Sequence, residues 1–217
     1  MKKVAVILSG CGVFDGAEIH ESVISLLALS RAGASYQCFA PDIPQIHVVN
    51  HLTGEVEEGE SRNVLVEAAR IARGDIKPIS ELDVGEFDAL LLPGGFGAAK
   101  NLCDFALKGT DCQIEPSVLS ACQAFAKAGK AAGYMCIAPM MLPQIYGEGV
   151  LGTIGTDTDT AAAFDQLGGS HQACPVDEIV VDEANKLVST PAYMLAGSIT
   201  EAADGIEKAV SKLLAMA

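Results

Sequence analysis

The chemically most pointed feature of the chain is Cys136 in the segment Gly133-Tyr134-Met135-Cys136-Ile137-Ala138-Pro139. A short apolar strand runs straight into a helical stretch, with cysteine at the junction. In an open α/β sheet such a turn lifts the side chain above the C-terminal edge of the strands, where ligands bind. The first N–H groups and the dipole of the following helix favour negative charge there. The geometry is that of a nucleophile elbow, and it is expected to lower the thiol pKa. The other cysteines have no such setting. Cys38 falls inside a strand and Cys122 inside a helix, where inert packing is the expectation. Cys103, Cys112 and Cys174 lie in less regular segments, and Cys11, just after the first strand, is the one rival.

A sulfur attacking a carbonyl needs donors for the oxyanion that forms. Pro93-Gly94-Gly95-Phe96-Gly97 follows another apolar strand and opens at the same edge of the sheet. Glycines there allow a backbone to approach closely, and the N–H groups of Gly95 and Ile137 are the candidate donors. The candidate acid is Glu21. It shares a helical face with Ala17, Ile24 and Ala28, so burial should raise its pKa towards the range useful for proton exchange near neutrality. Glu18 is readable as the partner of Asp15 in an Asp-x-x-Glu capping box. His20 projects from a different side of that helix, His47 and His51 sit in an irregular excursion, and His171 follows Gly168-Gly169. None carries a local signature, so whether His20, His171 or the Thr156/Asp157 pair completes the site is open.

The elements that must hold these residues alternate strand and helix. Val4 to Leu8 is a continuous apolar run, as in a strand covered on both faces. A helix opens at Asp15-Gly16-Ala17-Glu18 and ends near Arg31. It is apolar almost all round and should be largely buried. Tyr36 to Ala40 is the next strand, and His47 to Glu57, turning at Gly54, forms a small hairpin excursion. Ser61 can cap a helix with Val64, Leu65, Ala68, Ile71 and Ala72 along one stripe. Phe87 to Leu92 and Ala131 to Met135 are further core strands. Pro116 opens a helix to about Ala128, and Ile137 to about Tyr146 is helical. Ile179 to Val181 and Leu187-Val188 form a late hairpin, and a last helix runs from about Met194 to Leu214. The pattern predicts one α/β domain over residues 1–217, with a doubly wound, mostly parallel sheet sandwiched by helices.

Composition narrows the function classes. The 217 residues carry 14 Lys+Arg against 28 Asp+Glu, a net charge of −14, which repels nucleic acids and anionic membranes. With aromatics at 5% and no Trp, stacking platforms for single strands are also unexpected. The seven cysteines include no C-x-x-C pair, so neither zinc spacing nor a thioredoxin motif is present, and free thiols suit a reducing cytoplasm. No apolar run approaches membrane-spanning length. Lys2-Lys3 before Val4 to Leu8 and Ser9-Gly10-Cys11 superficially matches a lipoprotein signal, but five apolar residues are too few. Gly10-x-Gly12 with Asp42 is a poor dinucleotide turn, because Gly16 falls four positions after Gly12 rather than three.

Taken together, several motifs resemble the ElbB branch of the ThiJ/PfpI superfamily. They are Leu8-Ser9-Gly10-Cys11-Gly12, Asp15-Gly16-x-Glu18-Ile19-His20-Glu21, Asn50 to Glu55, Pro93 to Leu102, Met135 to Pro139, Thr153 to Asp157 and Thr190 to Met194. The resemblance implies the class I glutamine amidotransferase-like (flavodoxin-like) fold and a cofactor-independent glyoxalase of the hydro-lyase class acting on a small dicarbonyl, with no metal. It also implies a homodimer and an older link to isoprenoid biosynthesis. Under it, Cys136 matches the elbow nucleophile, Glu21 the carboxyl that contacts it, and Glu18 lies near a second acidic position. A histidine usual after the elbow helix is replaced by Thr156 beside Asp157, which implies weak activity and counts against glutamine amidotransfer. The alternative reading is a redox-sensing or partner-binding protein built on the same cysteine.

Overall fold

The computed structural model describes all residues, Met1–Ala217. Its centre is a seven-stranded sheet of β1 (Lys3–Ile7), β2 (Ser35–Ala40), β3 (Ile76–Pro78), β4 (Ala89–Leu92), β5 (Ala131–Met135), β8 (Val180–Asp182) and β9 (Leu187–Thr190). The order is β3-β2-β1-β4-β5-β9-β8, parallel throughout except for the antiparallel β8–β9 edge. β6 (Leu151–Gly152) and β7 (Ser170–His171) pair apart from it. The mostly parallel sheet between helices expected from the strand–helix alternation is the architecture observed.

Period two divides each central strand between two cores. Ala5, Ile7, Leu90, Leu92, Ala132 and Tyr134 face α4 (Pro116–Lys127), α5 (Leu142–Tyr146) and Phe164 of α6 (Thr158–Gln166). Val4, Val6, Ala89, Leu91, Ala131 and Met135 face α1 (Ile19–Arg31), α2 (Val64–Ile71) and α7 (Ile199–Met216). A short α3 (Phe105–Lys108) follows a π-helical turn at Ala98–Leu102. The chain winds outward from β1 in one direction and from β4 in the other, so the switch point lies between them. Open α/β sheets bind ligands at the carboxyl ends of the strands flanking that point.

Several local expectations are corrected. Asp15 does not cap α1. Its carboxylate accepts from Val49 N–H at 2.7 Å, and Glu18 is the cap, accepting from Glu21 N–H at 2.7 Å. Asn63, not Ser61, caps α2. The last helix starts at Ile199, because Ser198 caps it by accepting from Glu201 N–H at 3.2 Å, while Glu201 reaches back to accept from Gly197 N–H at 2.8 Å. The hairpin excursion is reduced to isolated antiparallel bridges, Val49 with Val56 and Pro44 with Asn63. α1 is not buried all round: Ile19, Val23 and Leu27 are 42%, 48% and 43% exposed.

Candidate active site

Three loops at the carboxyl edge converge on Cys136. β5 ends one residue before it, and its N–H donates to Thr190 O of β9 at 3.0 Å. That anchor holds Cys136 at φ 59°, a left-handed conformation that costs a non-glycine residue about 1–3 kcal/mol and recurs at functional turns. Gly94, after β4, passes so close that a Cβ there would stand 2.4 Å from Cys136 Cβ and 3.0 Å from its Sγ. The loop after β1 is clamped on the loop after β4 by Glu18 N–H to Gly94 O, Phe96 N–H to Val13 O and Gly97 N–H to Gly16 O, at 3.0, 2.8 and 2.8 Å. Sequence spacing of about 40 to 120 residues thus collapses into one cluster.

Glu21 is wholly buried. One carboxylate oxygen accepts from Gly94 N–H at 2.7 Å and the other from Tyr193 N–H at 3.1 Å. Its carboxyl lies beside the Cys136 sulfur, the two flanking Gly94. Burial pushes its pKa up to about 7, against the pull of the two N–H donors. Burial and the neighbouring Glu21 charge push the Cys136 thiol well above its ordinary value, while Gly95 and Ile137 N–H act the other way. The acidified thiol expected from the elbow is therefore corrected: only 7% of Cys136 is exposed, and desolvation outweighs the donors. The helix that was to supply a dipole is weak too, a 3-10 turn at Ala138–Met141 followed by the single turn of α5. Its contribution to the sulfur is one N–H, that of Ile137. A thiolate forms here most readily when Glu21 carries the proton, since that removes the repelling charge.

The sulfur opens on a cleft of about 360 Å³ lined by Val13, Glu18, Gly95, Phe96, Ala99, Phe105, Ala106, Cys136, Ile137, Thr160, Tyr193 and Met194. Gly95 and Ile137 N–H make no backbone hydrogen bond and lie near enough to the sulfur to favour its anion, so both remain available to an oxygen bound on it. Glu18, 8% exposed, forms part of the wall beside them.

No family model matches the chain. It is 46% identical over 98% of its length to the human mitochondrial glutamine amidotransferase-like class 1 domain-containing protein 3, of which it covers 82%. It is 45% identical to the mitochondrial ES1 protein homologue of Rattus norvegicus, over 98% of this chain and 83% of that one. The chain belongs to the ES1 family of glutamine amidotransferase-like proteins. Among solved structures, an Ehrlichia chaffeensis isoprenoid biosynthesis protein with an amidotransferase-like domain superposes with TM-score 0.93 at 38% identity, covering 100% of this chain and 99% of that one. A DJ-1 superfamily protein of Salmonella typhimurium shares the fold with TM-score 0.61 at 20% identity, over 99% of this chain and 91% of that one. The glutamine amidotransferase-like, DJ-1/ThiJ/PfpI fold is thus that of this ES1-family chain.

Among the residues singled out from the sequence, Cys136, Gly95, Ile137 and Glu18 line this ES1-family cleft, and Glu21 is buried behind it beside Cys136 and Gly94. The histidines do not join them. His20 Nδ1 lies 2.8 Å from the Tyr193 hydroxyl at the cleft's rim. His171 Nε2 accepts from Ile154 N–H at 3.2 Å and its ring meets Phe164 edge-on, with burial lowering its pKa. His51 accepts from Phe14 N–H at 3.2 Å and lies 3.8 Å from Asp15, and His47 leaves Nδ1 without a partner. Thr156 lines no part of the cleft, and Asp157 caps α6 by accepting from Thr160 N–H at 2.8 Å. Cys11 opens instead on a groove beside α1, and burial raises its thiol pKa. Sequence reasoning gave no role to Tyr193, Met194 or Thr160. Thr190-Pro191-Ala192 after an apolar run was the available signal: Ala192 takes φ 45° and turns Tyr193 N–H back onto Glu21.

Proposed function

We propose that this chain is a cofactor-independent glyoxalase, a hydro-lyase that adds water to glyoxal and releases glycolate. One observation supports the reading above all others: a single sulfur on a strained turn shares a buried carboxyl and two otherwise unused N–H groups, and opens on a cleft. Cys136 Sγ adds to one aldehyde carbon. The carbonyl electron pair moves to oxygen, which Gly95 and Ile137 N–H hold, and a proton shared with Glu21 completes the hemithioacetal. Glu21 then removes the hydrogen on that carbon, giving an enediol, and returns a proton to the neighbouring carbon. The first carbon is oxidised and the second reduced by the same two electrons, leaving a thioester. Water adds to the thioester, the C–S bond breaks and glycolic acid departs. A carboxyl titrating near 7 is suited to both proton steps at neutral pH.

Glycolate formation by wild type, Cys136→Ala and Glu21→Gln tests this. Cys136→Ala should fall to the uncatalysed rate and Glu21→Gln by at least about 100-fold. Equal rates in all three would sink the assignment.

The same pocket supports a second reading. Sulfinic acid formed at Cys136 would find the Glu21 carboxyl and the two N–H groups already placed to bind its oxygens. The chain would then be a redox-sensing or partner-binding protein, and the Ehrlichia protein's name suggests isoprenoid biosynthesis as its setting. Mass spectrometry after mild peroxide, combined with turnover, separates the two: selective oxidation at Cys136 without any dependence of turnover on that residue favours sensing. A homodimer through the exposed stripe of α1 and a cytoplasmic location complete the proposal. The human and rat relatives are named mitochondrial, so cell fractionation checks the compartment. No helix is long and apolar enough to cross a membrane.

A further inference from the structure

We infer that the cleft over Cys136 selects neutral 2-oxoaldehydes bearing a large apolar substituent over glyoxal itself. The inference rests on the glyoxalase reading and specifies its substrate class. Glyoxal has four non-hydrogen atoms, whereas the cleft measures about 360 Å³, within the roughly 300–1,000 Å³ typical of sites for much larger ligands. Gly95 and Ile137 N–H act on the sulfur, and the other polar lining residues are Glu18, Thr160 and Tyr193. The apolar walls include Val13, Phe96, Phe105 and Met194. Phe105 and Met194 rest partly on the core, and each keeps part of its surface free of it. Phe96 is 48% exposed and Phe105 half-buried, so they offer apolar surface that a substrate would cover.

Charge restricts the substituent further. Glu18 accepts from Glu21 N–H through one oxygen, and its other oxygen has no protein donor. Lys100 Nζ stands 5.3 Å from the Phe96 ring centroid but is held on Phe14 O at 2.9 Å, so an anionic substituent beside Glu18, in a chain of net charge −14, would still meet repulsion. With the aldehyde carbon on Sγ and the ketone carbon next to it, the substituent R points along the aromatic wall. The balance is R–CO–CHO plus water giving R–CHOH–COOH, with the C–S bond formed at the aldehyde carbon and broken by water.

The test compares kcat/KM for phenylglyoxal, read as mandelate, with kcat/KM for glyoxal, read as glycolate. It uses the full chain as wild type, Ala106→Trp, which fills the cleft from α3, and Phe96→Ala, which removes an exposed wall. Wild type should prefer phenylglyoxal by about tenfold or more, the order that one apolar group is worth in a fitted pocket. Either variant should lower that ratio by about tenfold. If Ala106→Trp does not fold, Phe96→Ala alone decides. A wild-type ratio at or below one, or a ratio unchanged in the folded variants, overturns the inference while leaving the glyoxalase reading standing. Failure of wild type to form either acid overturns both.

Discussion

Glu21 and Cys136 carry one dissociable proton more than the buried site can comfortably lose, and that sets the pH behaviour of the fold as well as of the reaction. Glu21 is raised from 4.5 to about 7 by burial, a displacement equivalent to about 3 kcal/mol. A carboxyl raised in the folded state supports the fold fully below its unfolded pKa, and that support is lost as pH rises through about 7. Wild type should therefore lose roughly 2–3 kcal/mol between pH 5 and pH 8 relative to Glu21→Gln, whose amide cannot ionise. Urea denaturation of both proteins at the two pH values measures the difference, and parallel changes would refute it. Glu21 was legible because a carboxylate stood on an apolar helical face. The raised Cys136 thiol was not, since an elbow motif shows its donors in sequence but not how deeply Gly94 and Glu21 bury the sulfur.

At the scale of elements, the site depends on how near two loops can lie. A Cβ on Gly97 would come within 2.5 Å of Gly16 Cα and 2.6 Å of Ser9 O, while its φ of −61° is one that alanine accepts without strain. Gly97→Ala therefore tests crowding alone. It should cost about 1–3 kcal/mol of stability, lower the melting temperature, and cut glycolate formation by pushing Gly95 N–H away from the sulfur. An unchanged turnover would show that the clamp does not position that donor. The central strands were readable because Val4 to Ile7, Ala89 to Leu92 and Ala131 to Met135 are buried on both faces and so run continuously apolar. β3, with Lys77 and Pro78, was not: it is a three-residue edge strand, where proline is tolerated and no apolar run is required. α6 was hidden for a related reason, since only Phe164 of Thr158–Gln166 is buried and little amphipathic pattern remains. Helix starts were misread wherever two cap residues competed, as Asp15 with Glu18 and Ser61 with Asn63. Capping is decided by which side chain reaches the free N–H groups, and Asp15 was already engaged by the excursion through Val49.

For the whole molecule, the unpartnered stripe of α1 and the surplus of acid pull in opposite directions. Ile19, Val23 and Leu27 repeat every fourth residue, so they stand on one face, and each is more than two-fifths exposed. Tyr36, 40% exposed, and Ile71 continue the same groove. Pairing two copies across this face would cover apolar area that water disfavours, but it would also bring together two chains each of charge −14. Salt screens that repulsion over about 10 Å at 0.1 M and leaves the apolar term almost untouched. Light scattering should accordingly show twice the chain mass, with the dimer fraction rising from low salt to about 0.2 M. Leu27→Glu should give the monomer at every salt concentration while retaining the helical circular dichroism of wild type, because the side chain it replaces is largely outside the core. A mutant that still dimerises would move the interface away from α1, and a wild type that dissociates as salt is added would mean that ion pairs, rather than the stripe, hold the copies together.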